Sequence, residues 1–232
     1  TTQRANITIT GTKESQQNLQ SLARDCQVAY FPTKPTNIPS PVSEEIICSS
    51  TRSDKRVRIA YVGDMSFPRN AEGVQWFLSK VLPRLPSDFL LQVHFSFFGR
   101  QPSTEVMEVK IPPDASVKFE GFVDDLETKL HQCQAAIVPV FGGNGIRIKT
   151  VTLLAAGLPA VSTKDGVEGL PLEPTRDITI ADDPKTFAIG LQSLLDENHR
   201  RNIAKSCRKA MAGFLSEDND AATLFSISEG IA

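Results

Sequence analysis

Ala135-Ala136-Ile137-Val138-Pro139-Val140-Phe141, followed by Gly142-Gly143-Asn144-Gly145-Ile146-Arg147-Ile148-Lys149, is the stretch on which the fold turns. Its first part is a nearly unbroken apolar run of strand length. That is the pattern of a strand covered on both faces, and hence of a parallel sheet. Gly142, Gly143 and Gly145 then let the backbone turn tightly and present its N–H groups. A helical apolar spacing follows to about Ala156, and Gly157 stops it. Strand, glycine turn and helix in this order point the positive end of a helix at the turn, a geometry suited to phosphate. Arg147 and Lys149 add two cations in the first turn, where they oppose the helix dipole, and an anion between them would reconcile that mismatch. A flexible loop with two solvated basic residues is the plainer reading of the same residues. The Gly-Lys-Ser/Thr ending of a P-loop is missing.

Outward from this stretch, strands and helices alternate. Upstream, residues 57–62 read as a strand ending at Gly63, and Asn70 caps a helix carrying Val74, Phe77, Leu78 and Val81 that Pro83 ends. Residues 90–98 read as a strand, 117–119 as a short one, and Asp124 or Asp125 caps the helix that follows. Downstream, residues 159–162 and 177–181 read as strands. Asp182 or Asp183 caps a helix with Phe187, Leu191 and Leu194, and a longer helix runs from about 197 to 214. This alternation predicts an α/β fold, a Rossmann-like doubly wound parallel sheet over residues 56–213, with five or six strands and helices on both faces. Ligands of such sheets bind at the carboxyl ends of the strands.

The N-terminal part differs. Ile7 and Ile9 alternate with threonines as in a strand, Thr12 caps a helix to about Arg24, and a second strand covers 27–31. This β-α-β piece, residues 1–31, is too small to bury a core alone. Pro32, Pro35, Pro39 and Pro41 mark residues 32–55 as a linker. Residues 218–228 read as a last helix. A start at Thr1 without a methionine reads as a piece of a longer polypeptide.

Composition narrows the classes. The net charge is −2, so no basic excess points to nucleic acid or an anionic membrane surface. No apolar run reaches the roughly 18–20 residues that span a bilayer. Cys26, Cys48, Cys133 and Cys207 are scattered, which argues against a zinc site or disulfide framework and for a reducing, cytoplasmic setting. No metal cluster or cofactor motif stands out. His94, His131 and His199 lie on predicted strand or helix positions without a nucleophile elbow.

Three further turns fall at the same sheet edge. Gly63 and Arg69 belong to the turn after the first strand, which is otherwise an ordinary βα loop; Arg100, after the second, is another candidate contact. Gly121-Phe122-Val123-Asp124-Asp125-Leu126 offers an apolar pair for a flat ring, with backbone groups to read its edge. In Lys164-Asp165-Gly166-Val167-Glu168-Gly169-Leu170, Glu168 suits a hydroxyl-rich ligand or a solvated surface equally.

Together these turns, with Pro68-Arg69-Asn70, Trp76-Phe77, Ala155-Ala156-Gly157-Leu158-Pro159 and Ala181-Asp182-Asp183-Pro184, resemble the C-terminal, donor-binding half of retaining GT-B glycosyltransferases (group 1, family 4). The resemblance covers about residues 56–213. It implies transfer of a hexosyl unit from a nucleoside diphosphate sugar to a glycan or lipid-linked acceptor, as in polysaccharide biosynthesis. It implies Arg147 and Lys149 as the catalytic groups that neutralise the departing diphosphate. Substrate-binding residues would be Gly63, Arg69, Gly121, Phe122, Val123, Gly142, Gly143, Asn144, Gly145, Ile146, Thr152 and Glu168, with no metal. Residues 1–31 would be a remnant of the acceptor-side domain and 214–232 a crossover helix, and a separate N-terminal domain or chain would complete the cleft. The expected location is cytoplasmic, peripheral to the inner face of the membrane. Two glutamates that many relatives carry fall on Asn144 and Thr152, and a relative's Arg and Lys fall on Asp64 and Asn70. A non-catalytic, glycosyltransferase-like binding partner is therefore the alternative. A Rossmann oxidoreductase is disfavoured, because no Gly-x-Gly-x-x-Gly turn follows the first strand.

Overall fold

The computed structural model describes residues 7–11, 13–22, 27–30, 34–49, 56–143 and 145–216. Near the N-terminus, β1 (Ile7–Thr10) and β2 (Gln27–Tyr30) pair in parallel, with α1 (Lys13–Leu22) between them in the chain. Thr12, expected to cap α1, lies outside the described residues, as does the helix expected over 218–228. Within the Pro-rich stretch a short helix, α2 (Glu44–Cys48), is capped by Ser43, whose Oγ accepts the Ile46 N–H at 3.3 Å.

The main sheet has six strands, all parallel: β3 (Val57–Val62), β4 (Val93–Phe98), β5 (Val117–Gly121), β6 (Ala135–Val138), β7 (Ala160–Ser162) and β8 (Thr179–Ile180). Their spatial order is β5-β4-β3-β6-β7-β8. The chain lays strands outward from β3 in one direction, returns beside β3 with β6, and then proceeds the other way. The reversal between β3 and β6 opens a crevice at their carboxyl ends, the usual ligand position on such a sheet. Helices α3 (Pro68–Trp76), α4 (Ser87–Leu90), α5 (Thr104–Met107), α6 (Leu126–Leu130), α7 (Ile148–Ala155), α8 (Pro184–Ser193) and α9 (Glu197–Ser216) complete the fold.

Both sheet faces are buried, which explains the unbroken apolar strands. Ile59, Phe95, Phe97 and Ile137 enter one core with Phe77 and Phe187. Their strand neighbours Ala60, Phe98, Ala136 and Val138 enter the other, with Leu154, Cys207 and Met211. Successive strand residues point to opposite faces, so a strand with two covered faces has no polar register.

Several boundaries differ from the sequence reading. Asn70 does not cap its helix: α3 starts at Pro68, whose missing N–H costs nothing at a helix start, and Phe67 is the N-cap. That helix passes into a π turn, Phe77–Val81, and then a 3-10 turn, Leu82–Arg84, that holds Pro83. The strand expected over 90–98 begins at Val93, because residues 87–90 form α4. The strand over 135–141 stops at Val138, before Pro139, which has no N–H for a ladder. Of the paired candidates, Asp125 caps α6 and Asp183 caps α8. No helix among the described residues is long and apolar enough to cross a membrane.

Candidate functional site

At the end of β6 the chain makes the glycine turn in left-handed conformations, with φ of +64° at Gly142, +85° at Gly143 and +90° at Gly145. Side chains resist that region, so the glycines are required by geometry. Asn144 lies outside the described residues. Arg147 is the N-cap of α7, and its Nη2 donates to the carbonyls of Gly143 at 2.7 Å and Gly142 at 3.1 Å. The same nitrogen lies 3.4 Å from Glu168 Oε2. The Gly142 N–H donates to Asp165 Oδ2 at 2.7 Å. Arg69, from the first turn of α3, lies over the turn: a Cβ at Gly143 would collide with its Nη1. Arg69, Gly142, Gly143, Arg147 and Glu168, named from separate motifs, are thus brought together.

Lys149 takes a different path. Its Nζ donates to Asn70 Oδ1 at 2.6 Å, approaches the Tyr61 hydroxyl at 3.5 Å, and lies 5.3 Å from the centre of the Tyr61 ring. Burial, and secondarily the charge of Arg147, lower its pKa to about 8. Burial also raises the Tyr61 phenol well above its ordinary value. Asn70 is the hinge-pin of this cluster, since its Nδ2 donates to the Asp64 carbonyl at 2.8 Å while its Oδ1 receives Lys149. Lys149 therefore sits at the β3–β6 crevice as a poorly solvated cation whose charge any bound anion would favour.

Beside the crevice, three strands end in backbone contact. Gly63 N–H donates to the Phe98 carbonyl and Gly99 N–H to the Gly121 carbonyl, both at 2.9 Å. They border a pocket of about 240 Å³ whose walls include Gly63, Asp64, Gly99, Arg100, Phe122 and Val123. Phe122 is 75% exposed and presents its ring at the pocket wall. Asp64 Oδ2 lies 3.6 Å from Arg100 Nε, and a hydrogen bond from Ser66 holds the Asp64 carboxyl below its ordinary pKa. A second pocket, about 410 Å³, adjoins through the shared Leu126 and is bordered by Asn37, Asp124, Asp125 and Thr152.

The remaining candidates are spread around these features. Gly121, with φ +75°, ends β5 beside the ring-sized pocket and has open space around it. Ile146 is half-buried and packs on the second core, which anchors the glycine turn. Thr152 donates its hydroxyl to the Ile148 carbonyl at 2.9 Å, inside its own helix. Tyr61 and Asn70 as holders of Lys149, and Asp165 as acceptor for Gly142, were not singled out from sequence. Asp165 had a signal, since it lies in a turn at the same sheet edge. The Asn70–Lys149 pair is 79 positions apart and has none.

No curated protein matches the chain in sequence. Solved structures resemble it in fold. Sucrose-phosphate synthase from Thermosynechococcus elongatus superposes with a TM-score of 0.75 at 16% identity, over 98% of this chain and 59% of the synthase. Anabaena HepE in complex with UDP and glucose gives 0.70 at 16% identity, over 98% and 63%. An S. aureus TarM mutant in complex with fondaparinux, alpha-GlcNAc-glycerol and UDP gives 0.65 at 10% identity, over 95% and 42%. The chain thus spans less than two thirds of each neighbour's length. The family model described as "Glycosyl transferases group 1" matches residues 56–197, more than half of the chain and all of the sheet edge just described. The chain belongs to the glycosyl transferases group 1 family.

Proposed function

We propose that this chain is the donor half of a retaining GT-B hexosyltransferase, which moves a sugar from a nucleoside diphosphate sugar to a glycan or lipid-linked acceptor. The observation that carries the reading is the pair of features that share the carboxyl edge of the sheet on the two sides of the β3 end. A ring-sized pocket with an exposed aromatic lies on one side, and on the other lie a glycine turn flanked by Arg69 and Arg147 and, beside Tyr61 and Asn70, the Lys149 ammonium. A base fits the first and a diphosphate the second. HepE and TarM were solved with UDP, which supports a nucleoside diphosphate as the ligand here. Arg147 and Lys149 would stabilise the leaving diphosphate electrostatically, usually the largest single term in catalysis. In this reading residues 56–213 form the nucleotide-sugar domain, 1–31 belong to an acceptor-side domain and 32–55 link the two. We place the activity in polysaccharide assembly at the cytoplasmic face of a membrane.

A second reading, a non-catalytic binding partner, rests on contacts the site already makes with itself. Asp165 and Glu168 already occupy Gly142 and Arg147, and Thr152 turns its hydroxyl into its own helix. Thermal unfolding separates the two. A ligand that binds only the native state at a hundred times its Kd stabilises by about 2.7 kcal/mol, which raises Tm by roughly 5–10 °C in a chain of this size. The donor reading expects such a shift with UDP, GDP, ADP or dTDP. No shift with any of them at millimolar concentration favours the binding partner.

A further inference from the structure

A lysine carries its charge on a flexible four-carbon stem, so the ammonium acts at one place only if something fixes it there. For Lys149 that something is Asn70. The Asn70 Nδ2 donates to the Asp64 carbonyl at 2.8 Å, which leaves Oδ1 turned to Lys149 Nζ at 2.6 Å. Only this orientation of the amide pairs a donor with an acceptor at both ends, because a carbonyl only accepts and an ammonium only donates. The starts of α3 and α7 are thereby joined by an uncharged side chain.

What faces the ammonium matters as much as what holds it. From β3 comes the Tyr61 hydroxyl at 3.5 Å, a buried phenol that stays protonated. From the turn after β3 comes Asp64, whose carboxylate accepts from Ser66 and faces Arg100. From the start of α7 comes Arg147, a like charge turned to Glu168. Among the described residues no carboxylate lies within ion-pair distance of Lys149. A carboxylate at position 70 would hold the ammonium as firmly and cancel its charge. The amide holds it and leaves the charge whole.

We infer that Asn70 is a positioning residue for the reaction, a neutral clamp that fixes the Lys149 ammonium for the diphosphate without neutralising it. The inference rests on the donor-half reading above, and it gives Asn70 no contact with the ligand. It sets a requirement at position 70 that a helix cap would not: a short side chain that accepts a hydrogen bond and carries no charge.

Calorimetric titration of the full chain with UDP and GDP, and with uridine and guanosine, tests it, together with the Cε resonance of Lys149, which reports protonation of its amine in the ligand-free protein. Asn70→Ala should weaken diphosphate binding about tenfold, the effect of one charge-assisted hydrogen bond, and nucleoside binding hardly at all. Asn70→Asp should weaken diphosphate binding at least as much. It should also raise the pH at which Lys149 titrates by roughly 1 pH unit or more, the effect of an adjacent opposite charge. The alkaline fall of diphosphate affinity should move upward with it. A residue that merely supports the fold would weaken nucleoside and diphosphate alike and leave the Lys149 titration where it was. Equal losses for the two ligands, or an unmoved Lys149 titration in Asn70→Asp, overturn the assignment and leave the donor reading standing. Should Asn70→Ala fail to fold, the Asn70→Asp measurements decide alone. Failure of every nucleotide to bind the wild type overturns both.

Discussion

Gly73→Ala should destabilise the protein by about 3 kcal/mol, although in an open helix the same change stabilises by up to about 1 kcal/mol. Gly73 is buried in α3, and a Cβ there would overlap the carbonyl oxygen of Pro139 and lie 3.0 Å from its carbonyl carbon. Both obstacles are backbone at the end of β6, so no side chain can rotate away. The helix or the strand end must move, and overpacking of that kind costs more than the helix propensity returns. At this size the loss appears as a Tm lower by roughly 6–12 °C. The displaced helix carries Arg69 and Asn70, so nucleotide affinity should fall with it. A variant as stable as the wild type would show that α3 does not seat against Pro139.

Lys149→Met should weaken nucleoside diphosphate binding about a hundredfold at pH 7, the upper end for a charge-assisted bond, because the ammonium is buried. The pH dependence gives a second check. With a pKa of about 8, the free protein loses this charge as pH rises from 7 to 9, so affinity falls over that range. The ligand-free protein responds in the opposite sense. Between about 8 and the ordinary lysine value of 10.5 the unfolded chain binds the extra proton, so this group makes stability rise with pH. In Lys149→Met both trends should disappear. Persistence of the affinity trend in the variant would assign it to another group.

The architecture was legible because it rests on local signals. Strand length, glycine stops and the switch between strand and helix spacing mark every strand of the main sheet except the exact ends. The ends failed where one residue's chemistry overrides periodicity, as at Pro68, which opens α3, and at Pro139, which closes β6. The site was legible as separate turns but not as a constellation. Arg147 and Glu168 could be named, yet nothing in their neighbourhoods says that they touch each other. Asn70 shows the limit most clearly. Read locally it is a helix cap, whereas the fold turns it into a clamp between the Asp64 carbonyl and the Lys149 ammonium. Contacts that join distant segments follow from topology, and only the order of strands reveals them.

That this sheet edge holds a base at Phe122 and a diphosphate at the glycine turn is tested most directly by titrating a nucleoside and its diphosphate into wild-type protein and Arg147→Ala. Arg147 already faces the Glu168 carboxylate at 3.4 Å. The expected result is therefore about a tenfold loss for the diphosphate, the lower end of the range for a charged hydrogen bond, and almost none for the nucleoside. Equal losses for both ligands, or no binding of any nucleoside diphosphate to the wild type, would contradict it.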